Sequence, residues 1–210
     1  MKELNSGALR FQFLGYPIKI SIWFCISVCV LLLVDRGGTF GWCMLAAGMH
    51  ELGHLWMLAA VGYPKCEIWL TAFGIRLIRR DGAGNDWRKD FLVNIAGPLM
   101  NVLVCSIILG IGRCLNGWET IRLPAETQLA LGAFNLLPVY PLDGGQAVAA
   151  LLNGILPLHI ANLIGNVLTL LFLLPLFVLG ILVLFRSQYN WTLLFFALYL
   201  TAFFLLKDYY

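Results

Sequence analysis

The sequence predicts an all-α polytopic membrane protein with about six transmembrane helices and a small β-hairpin or strand on its cytosolic side. Its composition is the first reason. Of the 210 residues, 60% are hydrophobic and only 12% are charged, whereas a soluble domain carries about 25% charged residues. The second reason is that the apolar stretches approach the roughly 20 residues that cross a bilayer. These two observations exclude an ordinary soluble fold.

Six segments are predicted to span the membrane, at about 18–34, 39–61, 90–112, 127–153, 160–184 and 190–206. The fourth segment is interrupted between Pro138 and Gly145, where two prolines and two glycines prevent the helix from continuing. Non-helical backbone at membrane depth is tolerated only inside protein or beside a wet cavity. The break therefore indicates a functional site.

The segment from Pro64 to Arg80 is too polar to cross the membrane, and its partial alternation predicts a strand or hairpin. With the N-terminus in the cytosol, ten of the 14 Lys and Arg residues lie inside and four outside. This imbalance predicts a multi-pass protein of the cell membrane with both termini in the cytosol. The net charge of +3 includes no long basic run, so nucleic acid is not an expected partner.

The second segment contains the pentapeptide HELGH, which is an HExxH motif. On a helix, His50 and His54 lie on one face and can offer imidazole nitrogens to one zinc ion. Glu51 is then placed to take a proton from water. His50 lies about 16 Å along the helix from Thr39, at roughly 1.5 Å per residue, so the motif is near the middle of the bilayer. The alternative is a pair of core histidines hydrogen-bonded within the bundle, with Glu51 paired to one of them. Because a buried glutamate in lipid costs several kcal/mol, a divalent cation is the more effective compensation.

A catalytic zinc ion needs a third protein ligand and one open position. Asp143 is the other acidic residue within an apolar segment, and it lies in the interrupted fourth segment. Its alternative role is to cap the helix that starts at Gly144. His159 is the third histidine, but its place near a segment boundary favours an interfacial position. One zinc ion per chain is expected.

Asparagines also occur inside the apolar segments, where bridging between helices is their default role. Asn135 differs from the others because it precedes Asp143 by eight residues, on the edge of the break. Its amide could hold a scissile carbonyl or the oxyanion formed from it.

Three motifs in this order resemble the site-2 protease family of intramembrane zinc metalloproteases. They are HELGH at 50–54, AGPLMN at 96–101, and NLLP at 135–138 followed by PLDGG at 141–145. The resemblance implies a site-2 protease core at about 10–155, with additional spans at about 160–206, in one intramembrane metalloprotease domain covering 1–210. It also implies that His50, His54 and Asp143 are zinc ligands, that Glu51 is the catalytic acid/base, and that Asn135 orients the substrate or holds the oxyanion.

Within that family, the compact layout is most similar to members that cleave the membrane-associated pro-sequence of a sigma factor during sporulation. The resemblance implies a membrane-embedded or membrane-tethered protein substrate, with the lipid bilayer and membrane inhibitor proteins as further partners. The sequence includes neither the CBS module of many members nor the PDZ insertion of others.

The predicted activity is hydrolysis of a peptide bond in or beside a transmembrane segment. Such a segment must unwind first, and the strand at 64–80 could pair with the extended stretch or could simply cap the bundle. A zinc-transporting or zinc-binding membrane protein without proteolytic activity is the alternative. A catalytically silent scaffold is a third hypothesis, but the complete set of ligands and base disfavours it.

Overall fold

The computed structural model describes most of the chain, and the following statements concern those residues alone. They are 9–13, 16–22, 25, 26, 28, 29, 33, 35, 37–62, 66–71, 74–79, 86–115, 118–187 and 191–205.

Helices make up most of the described structure. In chain order they are α1 (Thr39–Ala60), α2 (Trp87–Leu115), α3 (Trp118–Asn135), α4 (Asp143–Ile155), α5 (Leu158–Ser187) and α6 (Thr192–Leu205). The predicted segments 39–61, 90–112, 160–184 and 190–206 correspond to α1, α2, α5 and α6. The mostly helical architecture with a small sheet confirms the coarse fold class.

The sheet is larger than the predicted hairpin. It has four strands, β1 (Leu9–Phe13), β2 (Tyr16–Ile20), β3 (Cys66–Thr71) and β4 (Gly74–Arg79), in the order β1-β2-β3-β4. The β1-β2 and β3-β4 pairs are antiparallel, whereas β2 and β3 run parallel, with Ile18 opposite Ile68. The hairpin predicted at 64–80 is therefore present, and it extends a hairpin near the N-terminus that we did not predict.

The predicted first span at 18–34 is wrong at its start, because residues 18–20 belong to β2. Ile18 is apolar because it packs inside the protein rather than against lipid. It is buried in a small core with Leu55 and Leu58 of α1 and Val93 of α2. The rest of that span lies largely outside the described residues, although residues such as Cys25 and Ile26 are helical.

The predicted fourth span is two helices, α3 and α4, separated by residues 136–142. As predicted, the helix does not continue through the two prolines, and the Tyr140–Pro141 peptide bond is cis. However, α3 begins at Trp118, before the predicted start of the fourth span at about 127. Its polar residues suit an exposed helix face, since Arg122 and Glu126 form an ion pair of 2.8 Å one turn apart.

The break at 136–142 is packed against the last two helices. Val139 and Leu142 are buried together with Leu173 of α5 and Leu200 of α6. In addition, the backbone N–H of Tyr140 donates to Oγ1 of Thr169, at 3.3 Å. α5 and α6 thereby hold the segment that leads directly to Asp143.

Two of the described helices are long and apolar enough to cross a membrane, namely the stretch Trp87–Cys114 of α2 and the whole of α5. α6 is apolar but shorter. Many large apolar side chains on these helices are exposed, including Leu103, Leu174 and Phe185. These features fit a membrane location.

Candidate metal centre

Helix α1 supplies the two histidines of the HELGH motif. His50 and His54 are one turn apart, so their imidazoles lie on the same helix face. Both residues are buried, with exposed fractions of 5% and 7%. Their Nε2 atoms are 3.2 Å apart.

Asp143 joins these histidines from the far side of the break. Its Oδ2 lies 2.8 Å from Nε2 of His50 and 3.3 Å from Nε2 of His54. Asp143 is not the N-cap of α4. The N-cap position is Leu142, and Asp143 is the first residue of the helix itself. Gly144 allows this geometry, since a Cβ there would collide with the carbonyl oxygen of Leu136.

The Nδ1 atoms of the two histidines show which nitrogens carry hydrogen. Nδ1 of His54 lies 2.7 Å from the backbone oxygen of Val93, which can only accept. Nδ1 of His50 lies 2.6 Å from Oδ1 of Asn101. Each Nδ1–H therefore donates, and in the neutral imidazoles each Nε2 presents a lone pair.

Three electron-rich atoms consequently converge on one point: two Nε2 atoms and one carboxylate oxygen. Such an arrangement calls for a cation. Two ligands on a tetrahedral zinc ion with bonds of about 2.0–2.1 Å are roughly 3.3 Å apart. The observed separations of 3.2, 2.8 and 3.3 Å are close to that value. The group of His50, His54 and Asp143 could thus hold a metal ion, and its donor set suits zinc.

Close packing of α2 against α1 encloses this site. A Cβ on Gly97 of the AGPLMN motif would lie 2.8 Å from Nε2 of His50 and closer still to Nε2 of His54. Gly53, between the two histidines, faces α2 in turn, because a Cβ there would lie 2.6 Å from the Ala96 oxygen. The two glycines let the helix backbones approach.

Glu51 is half-buried beside the group and close enough to interact electrostatically with His50, His54 and Asp143. It forms no hydrogen bond with any described residue. Asn135 is the last residue of α3, and its amide donates to the Leu131 oxygen at 3.1 Å rather than to the described members of the group. His159 is exposed at the start of α5 and is not part of the group.

Sequence reasoning missed the partners that hold the two imidazoles. Asn101 was interpreted as a helix bridge within a motif, Gln128 was not singled out, and Val93 acts through its backbone oxygen. Asn101 and Gln128 are nevertheless both buried, and they are hydrogen-bonded to each other at 2.6 Å. A polar residue in each of two neighbouring apolar helices was the available signal.

Comparisons with known proteins agree with these motifs. No family model matches the chain. A zinc metalloprotease of Methanocaldococcus jannaschii is 27% identical over 165 residues, covering 71% of this chain and 47% of the relative. Stage IV sporulation protein FB of Bacillus subtilis is 27% identical over 121 residues, covering 57% and 42%. The chain thus spans less than half the length of either curated relative.

A solved structure gives the fold. The site-2 protease from Methanocaldococcus jannaschii matches with a TM-score of 0.62 and 23% identity, covering 92% of this chain and 91% of that one. The chain therefore has the fold of a site-2 protease and is similar in sequence to a curated zinc metalloprotease, which confirms the resemblance that the three motifs predict.

Proposed function

We propose that the chain is an intramembrane zinc metalloendopeptidase that cleaves a membrane-embedded or membrane-tethered protein. One observation carries the proposal. Two imidazole lone pairs and a carboxylate oxygen converge, while both Nδ1–H groups are engaged elsewhere. His50, His54 and Asp143 would hold one zinc ion, as three protein ligands do in catalytic zinc sites.

Glu51 is the proton carrier in this proposal. A zinc ion held by these residues would supply Lewis-acid chemistry, which makes water more acidic and polarises a carbonyl. The Glu51 carboxylate accepts a proton from the attacking water as the water oxygen bonds to the scissile carbonyl carbon. Glu51 then delivers that proton to the leaving amide nitrogen as the C–N bond breaks. Its lack of a hydrogen-bond partner among the described residues leaves the carboxylate free for both transfers.

Asn135 and the sheet are assigned to the substrate. Asn135 ends α3 at the edge of the break, where its amide can turn from the Leu131 oxygen to a substrate carbonyl or oxyanion. β4 is an outer strand among the described strands, so an unwound substrate can pair with the edge of β4 that none of them covers. The backbone groups freed by unwinding would thereby regain partners.

The whole chain is assigned to one membrane domain. Its core, at about 10–155, holds the metal group, while α5 and α6 support the break through Val139 and Leu142. We further propose six spans with both termini in the cytosol, from the distribution of Lys and Arg.

Sigma-factor precursors are the proposed substrates, following the similarity to stage IV sporulation protein FB. Membrane proteins that block access to the site would be its inhibitors.

The test is a Glu51→Gln variant of the full chain, co-expressed with sigma-factor precursors of its own organism. We expect the wild-type chain to shorten one precursor, and the variant to lose at least about 10²-fold in rate while keeping its zinc. Glu126→Gln is the matched control, because Glu126 is an exposed glutamate paired with Arg122. Full cleavage by Glu51→Gln with zinc bound would show that Glu51 is not the general base.

Zinc transport without proteolysis is the alternative that the same chain can test. Within the described residues, the search for metal-binding groups finds His50, His54 and Asp143 and no second group along which an ion could leave. Uptake of labelled zinc into vesicles that contain the chain, dependent on Asp143 and without any peptide cleavage, would favour transport.

A further inference from the structure

Asn101 occupies the junction of three helices and is completely buried, with an exposed fraction of 0%. It belongs to α2, and its side chain contacts both neighbouring helices. Oδ1 lies 2.6 Å from Nδ1 of His50 on α1. Nδ2 donates to the Ala46 backbone oxygen at 3.0 Å and to Oε1 of Gln128 on α3 at 2.6 Å. The amide therefore uses both of its N–H groups and its oxygen.

This set of contacts fixes which way the amide points. The Ala46 oxygen can only accept a hydrogen bond, so it must face the NH₂ group of Asn101. A flipped amide would place Oδ1 against two oxygen atoms and leave both N–H groups without these acceptors. In a buried site, such a loss costs more than a single hydrogen bond is normally worth. Gln128 and Ala46 together hold Oδ1 towards His50.

The orientation of the amide in turn decides which nitrogen of His50 is protonated. Facing Oδ1, Nδ1 must donate, which leaves the lone pair on Nε2 directed at Asp143 and His54. A flipped amide would donate to Nδ1 instead and transfer the hydrogen of the neutral imidazole to Nε2. Nε2 would then have no lone pair for a metal ion.

We propose that Asn101, locked by Gln128, is a positioning residue that holds His50 in the tautomer needed to bind zinc. The inference rests on the proposed function, and it gives a role to the last residue of the AGPLMN motif. Neither Asn101 nor Gln128 contacts the substrate in this scheme. Both act only through the imidazole of His50.

The experiment measures the zinc dissociation constant of the purified full chain, by competition with a chelator in detergent. We expect Asn101→Leu to weaken zinc binding about 10–100-fold, as loss of an outer partner of a metal-bound histidine does. Gln128→Leu should weaken it in the same direction. Gln128→Glu should restore most of the affinity, because an oxygen acceptor remains for Nδ2 of Asn101.

Cys105→Ala is the matched structural control. Cys105 is also buried on α2, one turn beyond Asn101, and its Sγ contacts the Ala125 oxygen on α3 at 3.5 Å. Truncation there disturbs the same pair of helices without touching His50. We expect its zinc affinity to equal that of the wild type.

Several results would overturn the inference. An unchanged dissociation constant in Asn101→Leu would do so, as would an equal loss in Cys105→Ala, which would show a packing effect. If Asn101→Leu does not fold, equal affinities of Gln128→Leu and Gln128→Glu would overturn it. A wild-type chain that binds no zinc would contradict the proposed function itself, whereas normal binding with unaffected variants contradicts only the role of Asn101.

Discussion

Nε2 of His50 lies 2.8 Å from Oδ2 of Asp143, although the two residues are 93 positions apart in the chain. The contact joins the middle of α1 to the first residue of α4. Its geometry depends on the break at 136–142, because a continuous helix would not return Asp143 to α1. The break is in turn held by the buried side chains of α5 and α6. Thus the site draws on elements from nearly the whole described chain.

The carboxylate of Asp143 gives the first prediction. Asp143→Asn removes the negative charge while keeping the size of the side chain. We expect it to weaken zinc binding by more than the roughly 10–100-fold that an outer partner is worth. At a zinc concentration of 100 times the wild-type dissociation constant, zinc raises the free energy of unfolding of the wild type by about 2.7 kcal/mol. At the same concentration it should raise that of the variant by almost nothing. The thermal unfolding midpoint with and without zinc measures this, and equal shifts in both chains would contradict it.

Gly97 gives the second prediction, because it has no room for a side chain. In Gly97→Ala, the new methyl group would occupy the space of the two Nε2 atoms. We expect loss of zinc binding and a destabilisation of about 1–3 kcal/mol from overpacking. Gly110→Ala on the same helix is the control, because a Cβ there meets nothing within 4 Å. That variant should be as stable as the wild type or slightly more so. Normal zinc binding by Gly97→Ala would show that α1 and α2 can separate without harm.

The members of the candidate metal centre, His50, His54 and Asp143, could be picked out from the sequence because their signals are local. HELGH places two imidazoles on one face of any helix that contains it, and the two prolines and two glycines between Pro138 and Gly145 together disfavour a continuous helix just before Asp143. The pairing of His50 with Asn101, 51 positions away, was not predictable. Several asparagines occur in the apolar segments, and only the packing of α2 shows which one faces His50.

The sheet and the start of α3 show where competing signals mislead. Ile18 and Ile20 lead into a longer apolar run, so they were included in the first span. The alternation of apolar and polar residues at 9–13, just before them, is typical of a strand and was the signal for a hairpin. Similarly, the fourth span was predicted to begin only at about residue 127, after Arg122 and Glu126. Spaced four residues apart, Arg122 and Glu126 instead stabilise an exposed helix face.

Asn135 gives the third prediction, which separates an effect on substrate from an effect on the metal. Asn135→Leu should lower kcat about 10²–10³-fold, as loss of an oxyanion donor does, with zinc affinity unchanged. Thr127→Val is the control, because Thr127 makes a similar local bond within α3, donating to the Pro124 oxygen at 2.9 Å. Both variants lose one side-chain bond to a helix carbonyl. Equal losses of activity would therefore indicate a structural role for Asn135.

The outer edge of β4 gives the last prediction. Proline at successive positions 75–78 removes one backbone N–H at a time, and alternate N–H groups of an antiparallel strand point away from β3. At those outward positions, proline should leave the hairpin folded and lower kcat/KM roughly 2–10-fold, since one hydrogen bond contributes about 0.5–1.5 kcal/mol. At inward positions it should destabilise the hairpin itself. Proline at positions 10–12 of β1, the opposite edge, is the control and should not affect cleavage through substrate pairing. Cleavage rates and thermal unfolding measured together distinguish these classes, and equal effects at both edges would exclude β4 as the strand that pairs with substrate.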